Sequence, residues 1–212
     1  MRICRPVVAA IVLCTAFVGI GPHLSGEAVR SLRGRRDAAA AAAGDAPVLS
    51  GPRKPDVIYL PTKADVVATM LAMARVRPGD VVYDLGSGDG RIVIAAVRDF
   101  AASFGVGVEL DSNLVSESLT NATVAGVRER VDFLQQDLFE SDLSSATVVM
   151  LYLLPSVNQR LAGKLRQLKP GTRIVSHDYL IAPDWMPDEI RHVRDNTLFL
   201  FTVKATQAGR ER

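Results

Sequence analysis

Cysteine is nearly missing from this chain: 212 residues contain two, Cys4 and Cys14, both near the N-terminus. The remainder therefore has no thiols for a disulfide framework or a thiolate zinc site. Histidine is scarce as well (His23, His177, His192), so a His-rich metal site is not expected and no metal is assigned. Excess positive charge is also absent where a nucleic acid would need it. Residues 1–54 hold eight Lys/Arg against three Asp/Glu, while residues 55–212 hold 17 against 20. The overall +2 thus combines a basic leader with a mildly acidic body. Nucleic-acid binders show the opposite distribution, so no nucleic-acid partner is expected. Disorder is excluded by composition, with 48% hydrophobic and 23% charged residues. The length suits one domain with an appendage.

The appendage comes first. Arg2 and Arg5 precede a charge-free apolar run over residues 7–20. This is how secretory signal peptides begin, and the run falls short of the roughly 20 residues a membrane span needs. No Ala-x-Ala cleavage site follows Ile20, and Leu13 before Cys14 is a poor lipoprotein signal. An uncleaved anchor, a cleaved signal peptide and an Arg-rich import leader all remain open. Arg30, Arg33, Arg35 and Arg36 lie beyond the run, and positive charge tends to stay inside. That bias predicts a membrane-anchored chain with its body on the cytoplasmic (or matrix) side; export after cleavage is the alternative. The expected organisation is a hydrophobic leader over 1–24, an Ala/Gly/Pro-rich linker over 25–55 containing six consecutive alanines from Ala38 to Ala43, and a domain over 56–206. No internal repeat is present.

The body alternates strand and helix. Thr62 followed by Asp65 resembles a helix-start cap, and Val66, Met70, Leu71 and Ala74 recur at helical spacing, predicting a helix over 63–75. Strands are expected at 81–85, 104–110, 131–134, 147–152 and 172–176. Helices are expected at 91–98, 112–125 and 155–168, the last opened by Pro155. Two closing strands, 190–194 and 198–203, are joined by a polar turn at Asp195-Asn196. Alternation of this kind gives an α/β fold: a Rossmann-like seven-stranded sheet, mostly parallel, with a C-terminal antiparallel hairpin and helices on both faces.

Three acids and a glycine loop fall at successive strand ends, where open parallel sheets bind ligands. Gly86, Gly88 and Gly90 let the backbone turn and approach a ligand closely. Asp84 closes the first strand, placed to meet an ammonium. Glu109 closes the second, placed to accept from both ribose hydroxyls. Asp137 follows the third, placed to accept from an adenine amine, with Leu138 along the ring. A lone Gly-x-Gly is often just a tight turn; the joint pattern indicates S-adenosylmethionine. The rival is a dinucleotide site such as that of an NAD oxidoreductase, whose fingerprint is Gly-x-Gly-x-x-Gly. Here the third glycine comes one residue early, and Asp84 and Asp89 would repel a pyrophosphate while suiting a sulfonium and an ammonium.

Several segments resemble one family. They are Tyr59-Leu60-Pro61-Thr62, Val82 to Arg91, Leu151-Tyr152-Leu153-Leu154-Pro155 and Val175-Ser176-His177-Asp178. Over about 57–203 the chain is similar to the small methyltransferases that include the mitochondrial lysine methyltransferases of the ATP synthase c-subunit and the adenine nucleotide translocase, with their bacterial relatives. The resemblance implies S-adenosylmethionine as cofactor and methylation of a lysine amine in a protein, a membrane-associated one being the natural partner of an anchored enzyme. From the residues alone, a small molecule or lipid acceptor, or a binding module without turnover, remains open. The Asn/Asp-Pro-Pro-Tyr/Phe motif of many adenine, glutamine and rRNA methyltransferases is absent. Leu151-Tyr152-Leu153-Leu154 stands in its place.

A lysine amine must lose its proton before it attacks, which from a pKa near 10.4 costs about 4–5 kcal/mol at neutral pH. Tyr152 is the leading catalytic candidate, its hydroxyl orienting the amine; a packed aromatic is the alternative. His177 and Asp178 are candidate proton acceptors, with a structural histidine as the alternative. Tyr59 and Thr62 read either as a lid over the methionine end of the cofactor or as an anchoring aromatic and a helix cap. Trp185 reads as loop packing with a rim role.

Overall fold

The computed structural model describes residues 60–205. The leader, the linker and Tyr59 lie outside the described residues, as do the expectations attached to them.

The elements are α1 (Ala64–Met73), β1 (Val81–Leu85), α2 (Arg91–Asp99), β2 (Phe104–Glu109), α3 (Ser112–Val124), β3 (Val131–Gln135), β4 (Val148–Leu151), α4 (Pro155–Arg166), β5 (Arg173–His177), β6 (Glu189–Val193) and β7 (Asn196–Thr202). One seven-stranded sheet runs β3-β2-β1-β4-β5-β7-β6. The first five strands are parallel and β7 enters antiparallel between β5 and β6. The expected fold class is the one formed.

Strand periodicity sorts the core into two layers. Val82, Met150 and Val175 face the layer built with α1, α2 and α3. Their neighbours Tyr83, Val149, Leu151 and Ile174 face the layer built with α4 and Ile181. Both faces are therefore covered, as a parallel sheet requires. Trp185 packs edge-on to Phe201, with ring centroids 5.5 Å apart, beneath the Arg166 guanidinium; it is loop packing, as expected.

At the end of the sheet opposite the strand C-termini, Arg173 ties the start of β5 to α1. Its Nη1 donates to the carbonyls of Ala74 and Arg75, and its Nη2 pairs with the buried Asp80. The guanidinium thus satisfies carbonyls that the helix C-terminus leaves open.

Two local expectations are corrected. Thr62 is not a helix cap: the N-cap position of α1 is Lys63, and no side chain there accepts a hydrogen bond. The Thr62 carbonyl is instead taken by Arg91 Nη1 at 3.0 Å, a tertiary contact invisible to a local pattern. The closing hairpin turns one residue earlier than expected, at Arg194-Asp195, with Val193 paired to Asn196. Arg194 takes the positive φ (52°) that a two-residue turn demands. Asn196 is drawn into β7, where its amide also donates to Asp178 at 3.0 Å.

Candidate active site

The C-terminal ends of β1 to β5 open onto a cavity of about 370 Å³, within the usual range of roughly 300–1,000 Å³ for small-molecule sites. One side carries acids and the other carries aromatic and aliphatic side chains.

On the acidic side, Asp84 is the most constrained group. It is 2% exposed, lines the cavity and has no hydrogen-bond partner among the described residues. Burial, then the charges of Glu109 and Asp89, hold its carboxyl well above the usual carboxylate range. A buried carboxylate in this position is relieved by a bound cation. Glu109 is oriented by the backbone: Oε2 accepts from Gly88 N (3.0 Å), and Oε1 accepts from Leu110 N (2.7 Å) and Asp111 N (3.0 Å). This clamp holds the Gly loop against the end of β2. Asp137 lines the same cavity, and its Oδ1 accepts from Phe139 N at 2.9 Å.

The three glycines serve different ends. Gly86 lines the cavity at φ 79°, and a Cβ there would sit 3.0 Å from Leu153 Cδ2. Gly88 supplies the amide for Glu109. Gly90, at φ 80°, has no room for a side chain: a Cβ would lie 2.6 Å from the Phe133 ring and 2.7 Å from Ser118. Gly88 and Gly90 shape the loop without lining the cavity, so the expected close approach to a ligand belongs to Gly86. Asp89, read as a charge that would repel a pyrophosphate, is paired. Arg91 grips it through Nε (2.9 Å) and Nη2 (2.6 Å). The Arg91 contact with Thr62 then closes the wall, and Thr62 itself lines the cavity.

On the other side stands Tyr152, half-buried and lining the cavity. Burial, with the nearby charge of Asp178, raises its phenol pKa, so it stays protonated. His177 lies behind it, with ring centroids 3.9 Å apart and planes inclined by 28°. His177 is buried and does not line the cavity; among the described residues neither ring nitrogen has a hydrogen-bond partner, and Nε2 lies 3.5 Å from the Asp178 carboxylate. Burial lowers its pKa against the opposing pull of Asp178, so the ring is neutral. Asp178 does not line the cavity either. Its carboxylate accepts from Asn196 Nδ2 (3.0 Å) and Thr197 N (2.9 Å). The structure thus brings Tyr152 to the site and sets His177 and Asp178 behind it as supports. Tyr179 and Phe139 also line the cavity and had no signal in the sequence. Their positions follow from loops, which carry no periodicity.

These residues fit S-adenosylmethionine. A cationic ligand would draw out the charge of the buried Asp84 carboxyl, which has no hydrogen-bond partner among the described residues, and Glu109 is fixed where a sugar edge would meet it. Gly86 leaves the cavity wall bare. Against a dinucleotide, Asp84 and Glu109 carry the electrostatic case, since the charge of Asp89 is already matched by Arg91.

The family model described as the ANTKMT methyltransferase domain matches residues 84–189. The chain is 44% identical to a protein-lysine N-methyltransferase of Saccharolobus islandicus, covering 70% of this chain and 95% of that one. It is 36% identical to the Xenopus laevis lysine N-methyltransferase of the ATP synthase c-subunit, covering 72% of this chain but 66% of that protein, just under two thirds. Among solved structures it resembles one described as an RNA methyltransferase from Salinibacter ruber in complex with S-adenosyl-L-homocysteine. The identity there is 51% and the TM-score 0.67, over 68% of this chain and 94% of that one.

Proposed function

The chain belongs to the family of the ANTKMT methyltransferase domain, and from this premise we propose that it methylates the side-chain amine of a lysine in a protein substrate, using S-adenosylmethionine. The observation that carries the choice of acceptor is the make-up of the cavity. Its carboxylates are Asp84, Asp89, Glu109, Asp111 and Asp137, and its one guanidinium, Arg91, is paired with Asp89. Such a lining favours a cationic or neutral amine and opposes a polyanion.

When bound, the cofactor supplies an electrophilic methyl group on a sulfonium sulfur. Asp84 would hold the ammonium of its methionine moiety, Glu109 the ribose hydroxyls and Asp137 the adenine amine. Tyr152, Leu153 and Leu154 form the entry for the acceptor. Their apolar surface disfavours an ammonium ion, which lowers the cost of presenting a neutral amine. The protonated Tyr152 phenol can accept an N–H of that amine, leaving the nitrogen lone pair directed at the methyl carbon. A phenol whose pKa is raised does not take the departing proton, so that proton leaves to water.

The test is transfer of label from methyl-tritiated S-adenosylmethionine into an extract of the host cells, separated into protein, RNA and lipid fractions. The expected result is label in protein, released by hydrolysis as methylated lysine. Label in RNA, as the description of the Salinibacter ruber protein would suggest, or in lipid overturns this reading.

Location is a further part of the proposal. The charges flanking residues 7–20 support anchorage with the domain on the cytoplasmic or matrix face, where the cofactor is made or imported. A C-terminal alkaline phosphatase fusion should be silent; an active one, with a mature N-terminus after residue 20, would show export.

A further inference from the structure

The geometry points to Tyr179 as an acceptor-binding residue, the second aromatic wall of the channel through which the amine reaches Tyr152. This rests on the lysine reading above, because a channel between two aromatic rings fits an unbranched alkyl stem ending in an amine.

Tyr179 lines the same cavity as Tyr152 and is 39% exposed, so its ring stands at the mouth. An exposed tyrosine on a loop would ordinarily wander. Here the chain on both sides of it is bound. Asp178 N donates to Thr197 O at 2.7 Å, and the Asp178 carboxylate accepts from Thr197 N and Asn196 Nδ2. Ser176 Oγ donates to the Tyr179 carbonyl at 2.6 Å. The fully buried Asn158 of α4 donates to both Ser176 Oγ and Leu180 O, each at 3.3 Å.

These bonds hold Asp178 in the left-handed region, at φ 62°, which residues other than glycine enter uncommonly, aspartate more readily than most. A strained residue persists only where its surroundings over-determine it, and such residues cluster at functional sites. What the strain accomplishes here is visible: β5 ends with His177 turned beneath Tyr152 and Tyr179 turned to the mouth, two residues apart.

The test uses the full chain with Tyr179→Ala and Tyr179→Phe. Calorimetry reads S-adenosylhomocysteine affinity. Initial rates of label transfer into host extract, over a range of extract concentrations, read acceptor saturation. For Tyr179→Ala, the acceptor concentration at half-saturation should rise roughly tenfold or more, with product affinity unchanged. Tyr179→Phe, which keeps the ring, should stay near wild type. Wild-type saturation by Tyr179→Ala, or a loss that tracks weakened S-adenosylhomocysteine binding, would overturn the assignment. The saturation shift is read in whichever fraction carries label, so failure of Tyr179 is distinct from failure of the lysine reading, which appears as label outside protein.

Discussion

Along β1, β2 and β3, the residues that face the cavity follow the strand ends directly: Asp84 within β1, Glu109 as the last residue of β2, Asp137 two residues beyond β3. Along β4 and β5 the corresponding side chains depend on partners far away in sequence. Tyr152 rests on His177, and Tyr179 is held through Ser176, Asn158, Asn196 and Thr197. The first region presents charge and backbone amides to the cavity, the second presents rings. The cofactor is a constant of the chemistry, so its half can be written locally. The half proposed to receive the acceptor is shaped by tertiary contacts, and it is there that relatives with different targets can diverge.

The largest expected effect lies in the first region. Asp84→Asn should weaken S-adenosylmethionine binding by about 2–5 kcal/mol, as loss of one partner of a buried charge pair does. It should also stabilise the free protein by about 1–2 kcal/mol, because a buried carboxylate with no cation is removed. The sign with pH follows. The unfolded carboxyl titrates near 3.9 and the folded one higher. Between those values the folded state holds the extra proton, so this contribution to stability falls as pH rises. The stability gap between variant and wild type should therefore widen from acid to neutral pH in thermal melts. A gap that narrows would mean that Asp84 is already satisfied.

Gly90→Ala should cost about 2–4 kcal/mol in urea unfolding, from the left-handed backbone and the collision with Phe133 and Ser118. A milder loss would show that α2 can shift away from β3, and the glycine loop would be less rigid than its contacts imply.

These two positions also show what could be read from sequence and what could not. The five-strand alternation, the closing hairpin and the three acids were legible because each is a local pattern: apolar runs ending in an acid, with glycines next. The pairing of Asp89 with Arg91 was not, although the residues are neighbours, since helix-start position and salt bridge look alike in a string. Thr62 looked like a cap because its type and spacing matched one, yet a long-range guanidinium claims its carbonyl. Tyr179 had no signal at all; only the strained Asp178 and its tethers place it.

In the second region, Tyr152→Phe should lower kcat roughly ten- to a hundredfold through misorientation of the amine, with cofactor affinity near wild type. Equal losses in affinity would move Tyr152 into the first region. The smallest effect is expected at His177. His177→Phe keeps a ring beneath Tyr152 and removes two buried nitrogens without hydrogen bonds, at the loss only of a 3.5 Å contact between Nε2 and the Asp178 carboxylate, so stability and kcat should change little. A fall of roughly a hundredfold or more, typical of losing an acid–base group, would restore His177 as a proton acceptor.

The most direct test of lysine methylation is mass-spectrometric mapping of methyl groups on host proteins incubated with S-adenosylmethionine and either the wild-type chain or Asp84→Asn. Methylated lysine that appears with wild type and is lost with Asp84→Asn is the predicted result. Active wild-type enzyme that leaves every lysine unchanged while methyl groups accumulate on RNA would contradict it.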